Sequence, residues 1–66
     1  MEKDNLILIL LRRFPGLDDD ELTRLSGLAS VRRVQRVCRD LARRELLERR
    51  AGPNGRIENY ALGSEP

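Results

Sequence analysis

The segment from Ser30 to Arg50 restricts the fold more than any other part of the chain. Its apolar residues Val31, Val34, Cys38 and Leu41 recur at i, i+3, i+7 and i+10, and Val37 and Ala42 widen the stripe. This is the period of an α-helix with one side turned to a core. Between Val31 and Arg50 there are eight arginines against Asp40, Glu45 and Glu48, a net charge of +5, whereas the rest of the chain sums to −3. Arg32, Arg33, Gln35, Arg36, Arg39 and Arg43 fall mainly off the apolar stripe and face outward. A basic segment on an otherwise mildly acidic chain is a local field, and such a field implies a partner. The segment reads as a recognition helix.

The residues before it set the helix that precedes it. Asp18 followed three positions later by Glu21 makes a capping-box pair, and Leu17 and Leu22 stand where a hydrophobic staple places its two residues. Asp18, Asp19 and Asp20 also complement the positive end of the helix dipole. The run lacks the alternation of a calcium loop, so capping accounts for these acids better than a metal or catalytic role does. This second helix is expected to run to about Ser26, where Gly27 suits a left-handed terminal position. Leu28 and Ala29 form a short connection, and Ser30 caps the next helix. Two helices joined by a glycine-containing turn of about four residues have helix-turn-helix spacing.

At the N-terminal end, Leu6 to Leu11 is apolar without a break, and Asp4 and Asn5 offer N-cap chemistry before it. Six apolar residues also suit a strand, but Ile7, Leu10, Leu11 and Phe14 match the helical spacing, and Pro15-Gly16 follows as a stop. The helix is preferred. It is apolar nearly all round, which leaves Leu6 and Ile9 either as part of a small core or as a dimer face.

At the C-terminal end, Gly52-Pro53-Asn54-Gly55 is strong turn chemistry between the segments Leu46–Ala51 and Arg56–Leu62. Flanks of similar length predict a two-stranded hairpin. Burying Tyr60 and Leu62 removes more apolar area than burying Ile57, Asn59 and Ala61, so the first pair is expected inside, with a bulge near the turn.

Sixty-six residues make one domain, expected over 1–62, with 63–66 as a flexible tail. A chain of this size buries only about 60% of its unfolded-state surface, so dimerisation would help it. One cysteine allows no intramolecular disulfide, and the lack of histidine speaks against a zinc site. No metal or other cofactor is expected. The longest apolar run is too short for a bilayer, and a cytoplasmic location is expected. With no histidine, no nucleophile–base pair and no phosphate loop, neither catalysis nor a small-molecule substrate is expected. Phe14 and Tyr60 are the sole aromatic residues, too few for the stacking platforms of single-strand binders.

Leu17-Asp-Asp-Asp-Glu-Leu-Thr-Arg-Leu-Ser-Gly-Leu28 resembles the second helix of bacterial winged-helix regulators. Val34 to Arg49 is similar to their third helix and the start of their wing. In regulators of the multiple-antibiotic-resistance type, glycine usually stands where this chain has Glu45, and a left-handed conformation costs glutamate more than glycine. The resemblance spans residues 6 to 62. It implies a mainly α fold with a small β-hairpin (α+β), a three-helix winged helix-turn-helix. It also implies binding of double-stranded DNA by a small transcriptional regulator, expected to act as a homodimer on two half-sites. Helix 31–45 would lie in the major groove, with hairpin 46–62 as the wing.

On that reading Arg32, Arg33, Gln35 and Arg36 meet base edges, since arginine bonds guanine bidentately and glutamine does the same with adenine. Arg39 and Arg43 are better placed for phosphates, and Asn54 and Arg56 reach phosphate or the minor groove. The acids of helix two would point away from the DNA. The competing reading is a winged-helix module that docks an acidic protein through its arginine-rich face.

Overall fold

A computed structural model describes residues 2–63. Helix α1 spans Lys3–Arg13, α2 Asp19–Ser26 and α3 Val31–Arg43; strand β1 (Leu47–Ala51), a 3-10 turn (Pro53–Gly55) and strand β2 (Ile57–Ala61) follow. This is the mainly α architecture with a small hairpin that the sequence predicts. Of the tail expected over 63–66, residues 64–66 lie outside the described residues.

The apolar run is helical, and Ile7, Leu8 and Leu11 are its buried residues. Two expectations about this helix need correction. Asp4 and Asn5 do not cap it: the N-cap is Glu2, without a side-chain cap bond, and Asp4 inside the first turn pairs with Arg44 at 3.0 Å. Phe14 does not join the core either, and is 50% exposed. It stands at the C-cap with φ −133°, outside helical geometry. Pro15 explains this, because proline disfavours the α conformation of the residue before it.

The local signals of the next two helices hold. Asp18 accepts from the Glu21 N–H at 2.8 Å while Glu21 accepts from the Asp18 N–H at 2.9 Å, a complete capping box. Gly27 ends α2 at φ 72°. Ser30 caps α3 by accepting from the Arg33 N–H.

Helix α3 stops at Arg43, two residues short of the expected end at 45. The Glu45 N–H donates to the Ala42 carbonyl and the Leu46 N–H to the Leu41 carbonyl, the paired bonds of a Schellman motif. Glu45 occupies the left-handed position of that motif at φ 62°.

Val34, Cys38 and Leu41 of α3 are fully buried with Ile7 and Leu22; Leu8, Leu11 and Leu47 complete the core. All three helices and β1 therefore share one cluster.

The hairpin pairs Leu47 with Ala61 and continues without interruption to Ala51 with Ile57. Directly opposed residues share a face. The inward face carries Leu47, Arg49, Asn59 and Ala61, and Asn59 is fully buried. The expectation that Tyr60 and Leu62 are buried is thus overturned: Tyr60 is on the other face and Leu62 is 36% exposed. No bulge is needed, because the five pairs run in register. Apolar area misassigned the face because Asn59 is fully hydrogen-bonded inside, and a satisfied polar group can occupy a core position. Tyr60 instead lies under the Arg50 guanidinium, 4.4 Å from ring centroid to Cζ, and donates to Glu58.

One element was not anticipated. The residues before α2 are tied to β2 by an isolated antiparallel bridge: the Gly16 N–H donates to the Asn59 carbonyl, the Asn59 N–H to the Leu17 carbonyl, and Asp18 bridges Glu58.

Candidate nucleic-acid interface

Ser30, Arg32, Arg33, Gln35, Arg36, Arg39 and Arg43 line one open groove along α3. The residues expected to face outward do so together, because burial of Val34, Cys38 and Leu41 fixes the rotation of the helix. The groove is defined by charge as well as shape. Among the described residues, Arg32, Arg33, Arg36, Arg39 and Arg43 make no salt bridge. Asp40, the acid of their own helix, pairs with Arg44 at 3.3 Å.

The remaining arginines of the Ser30–Arg50 segment, with Arg56, are occupied. Arg44 also reaches Asp4, Arg49 binds Asp19, Arg50 pairs with Glu48, and Arg56 pairs with Asp18 and Glu21. The hydrogen bonds that Arg44 donates to Asp4 and then Asp40 hold its guanidinium still more firmly protonated, and the bond that Arg50 donates to Glu48 does the same for Arg50. Five unpaired guanidinium groups repel one another unless an anion lies between them.

A second depression adjoins the groove at Gln35, which lines both. It is formed by Asp18, Asp19, Asp20 and Val31 on one side and by Asn54 to Ile57 at the wing tip on the other. The sequence reading turned the acids of α2 away from the cationic face. The structure sets them beside Gln35 and the wing, because the bridge from Asp18 to Glu58 ties the start of α2 to β2. Asn54 is exposed at the tip in a left-handed conformation (φ 59°). Arg56 does not project freely: its Nε donates to Asp18 and its Nη2 to Glu21.

Sequence reasoning missed the buried polar group under the wing. Arg49, Asp19 and Asn59 bond one another there, with Asp19 8% exposed. The available signal was the polar pair at positions that alternate with Leu47 and Ala61. Cys38 lies against this group. Burial first, then the Asp19 carboxylate, push its thiol from 9.0 up to about 11, against an opposing pull from Arg49. Like the expected core residue, it is buried and free.

Away from this face, Ile9 is 41% exposed and Leu6 is half-buried. Among the described residues no group of histidine, cysteine and acidic side chains could hold a metal ion, and no helix is long and apolar enough to cross a membrane.

Three helices, a short turn between the second and third, and a hairpin after the third define a winged helix-turn-helix domain. The crystal structure of the PcaV transcriptional regulator from Streptomyces coelicolor, in complex with its natural ligand, has the same fold, with a TM-score of 0.85 and 26% sequence identity. The match covers 94% of this chain and 45% of that one, so this chain spans less than half the length of the regulator it resembles. No family model and no curated protein matches the sequence.

Proposed function

We propose that this chain binds double-stranded DNA as a small transcriptional regulator, with α3 in the major groove and the hairpin as wing. The observation that carries the reading is the sorting of the arginines. Among the described residues, those on the outer face of α3 pair with no acid, while Arg44, Arg49, Arg50 and Arg56 around them do. A folding role would consume the charges; an interface leaves them available for an anion.

Within that reading, Arg32, Arg33, Gln35 and Arg36 on the first turns of α3 contact base edges, where arginine selects guanine and glutamine adenine. Arg39 and Arg43, further along the same groove, contact phosphates, as do Asn54 and Arg56 at the wing. The likeness to a transcriptional regulator supports the general role. Leu6 and Ile9 on α1 are the proposed contact of a homodimer, which would present two copies of α3 to two half-sites.

Fluorescence anisotropy with duplex DNA of random sequence, titrated with salt, tests the reading. Three to five phosphate contacts give a slope of log K against log salt of roughly −3 to −4.5. Absence of binding even at low salt would overturn it and transfer the cationic groove to an acidic protein partner.

A further inference from the structure

The capping box of α2 has a second occupant. Asp18 Oδ1 and Glu21 Oε1 accept the backbone N–H groups that the cap requires. Arg56 takes the other oxygen of Asp18 from its Nε at 3.0 Å and shares Glu21 Oε1 through its Nη2 at 3.1 Å. The carboxylates are therefore fixed by α2, and the arginine is the partner that can leave. If it leaves, neither carboxylate loses its backbone donor and the helix stays capped.

The exposure of the pairs points the same way. Arg56 is 40% exposed, Glu21 36% and Asp18 18%, so the guanidinium sits at the surface and Asp18 is its more sheltered partner. The pair with Glu21 is a surface ion pair, which holds weakly and yields to competing ions. The neighbouring Arg49–Asp19 pair is 18% and 10% exposed and is locked by Asn59. The wing is thus anchored by one arginine and touched lightly by another. Arg56 also lines the depression that meets the cationic groove at Gln35, with Asn54 beside it. Asp18, Asp19 and Asp20 line the same depression, so a phosphate arriving there meets more negative than positive charge.

Resting on the DNA reading above, we propose that Arg56 is a latch: it holds the wing to α2 in the free protein, and a DNA phosphate must draw it away from Asp18 and Glu21. The two acids then restrain affinity. They compete with the phosphate for the guanidinium, and their own charge, uncovered when it leaves, offsets the counterion release that an unpaired arginine would bring.

The chain offers substitutions that remove the charge and keep the cap, since asparagine is as good an N-cap as aspartate and glutamine serves in a capping box as glutamate does. The test compares the wild type, the double variant Asp18→Asn/Glu21→Gln, Arg56→Ala, and all three changes together, in anisotropy titrations with duplex DNA. Circular dichroism on each confirms that the helices remain.

The double variant is expected to bind about three- to tenfold more tightly at low salt, with a salt slope steeper by about 0.9, the value for one added phosphate contact. Arg56→Ala should abolish both gains. Unchanged affinity and slope in the double variant would overturn the latch, and so would a gain that persists without Arg56, which is general repulsion by the acids. Wild-type protein that ignores DNA at low salt would overturn the DNA reading and the latch together, whereas the first two results overturn the latch alone.

Discussion

Arg49 grips Asp19 with both terminal nitrogens, Nη1 to Oδ1 at 3.1 Å and Nη2 to Oδ2 at 3.0 Å, although thirty residues separate them in sequence. Asn59 closes the group. Its amide nitrogen donates to Asp19 Oδ1 and to the Leu17 carbonyl, both at 2.9 Å, while its oxygen accepts from Arg49 at 3.0 Å. The first turn of α2, both strands and the segment before α2 meet at these three side chains. Among the described residues, no buried side-chain nitrogen or oxygen lacks a partner. A fully satisfied polar group of this kind fixes the geometry of the wing stem where an apolar pair would fix only its burial.

Removing one member leaves a charge that the others cannot satisfy. Arg49→Leu strands Asp19 beneath the wing, and breaking a buried pair this way costs about 3 kcal/mol or more. A domain this small has a few kcal/mol of stability in total. Urea denaturation followed by circular dichroism should find the variant largely unfolded at physiological temperature. Arg50→Ala, which removes an exposed pair with Glu48, should leave the midpoint nearly unchanged. Equal midpoints for the two variants would remove the buried group from the account of stability.

Glu45 is the opposite case, a residue in a conformation that disfavours it. At φ 62° in the Schellman turn its Cβ crowds the backbone. Glu45→Gly should stabilise the domain by about 1 kcal/mol, which raises the Tm of a protein this size by roughly 4–8 °C. Glu45→Ala removes the same charge but keeps the Cβ, and should show no such rise. A gain in both variants would assign the effect to the carboxylate and not to the backbone.

These two residues also show what the sequence can disclose. Asp18, Gly27 and Ser30 act on atoms within four residues of themselves, so their roles are legible in a linear reading. The outward arginines are legible for a related reason: once Val34, Cys38 and Leu41 are turned inward, helical geometry leaves Arg32, Arg36, Arg39 and Arg43 one place to go. Asn59 was misread because its partners are Asp19 and Arg49, forty and ten residues away. The two-residue spacing of Arg49 from Leu47 and of Asn59 from Ala61 puts both on the inner face, but it does not encode their contact with Asp19. Arg56 was legible as a wing residue, but its pairing with Asp18 across thirty-eight residues was not.

Cys38 gives a pH dependence with a definite sign. Its folded thiol titrates near 11, against 9.0 for the ordinary thiol, chiefly because burial disfavours the thiolate. The folded state therefore keeps a proton that the unfolded state gives up between these values. The contribution is present in full below pH 9.0 and is lost as pH rises toward 11, by on the order of 2–3 kcal/mol in all. Stability measured across this window should fall less steeply in Cys38→Ala, whose cavity cost does not vary with pH. Parallel slopes would show that the thiol titrates alike in both states. Slow labelling of the native thiol at neutral pH is expected on the same grounds.

Ile9 tests the proposed dimer. It is 41% exposed on α1, outside the buried core, so a charge there should be tolerated by the fold. Ile9→Glu is expected to shift a dimer to monomer in sedimentation velocity while the helical signal is retained. A wild-type dimer that survives the substitution would place Ile9 outside the interface.

The sorting of the arginines makes the sharpest comparison, because it pits equal charge changes against each other. Arg36 has no salt bridge among the described residues and lines the groove; Arg44, two turns further on, is held by Asp4 and Asp40. Both substitutions with alanine remove one positive charge from the same segment. If only overall charge matters, the two should weaken DNA binding alike. If the unpaired face is the interface, Arg36→Ala should reduce affinity for a selected site by roughly tenfold or more, the ~1–3 kcal/mol of a base contact, with its fold intact. Arg44→Ala should change affinity little, since Arg44 is held by Asp4 and Asp40 and, unlike Arg36 and Arg56, lines neither depression of the proposed interface. Asn54→Ala with Arg56→Ala should weaken binding evenly across sequences, as a backbone contact does. An Arg44→Ala loss as large as that of Arg36→Ala would mean that pairing does not decide which arginines meet DNA, and the interface would have to be redrawn around both.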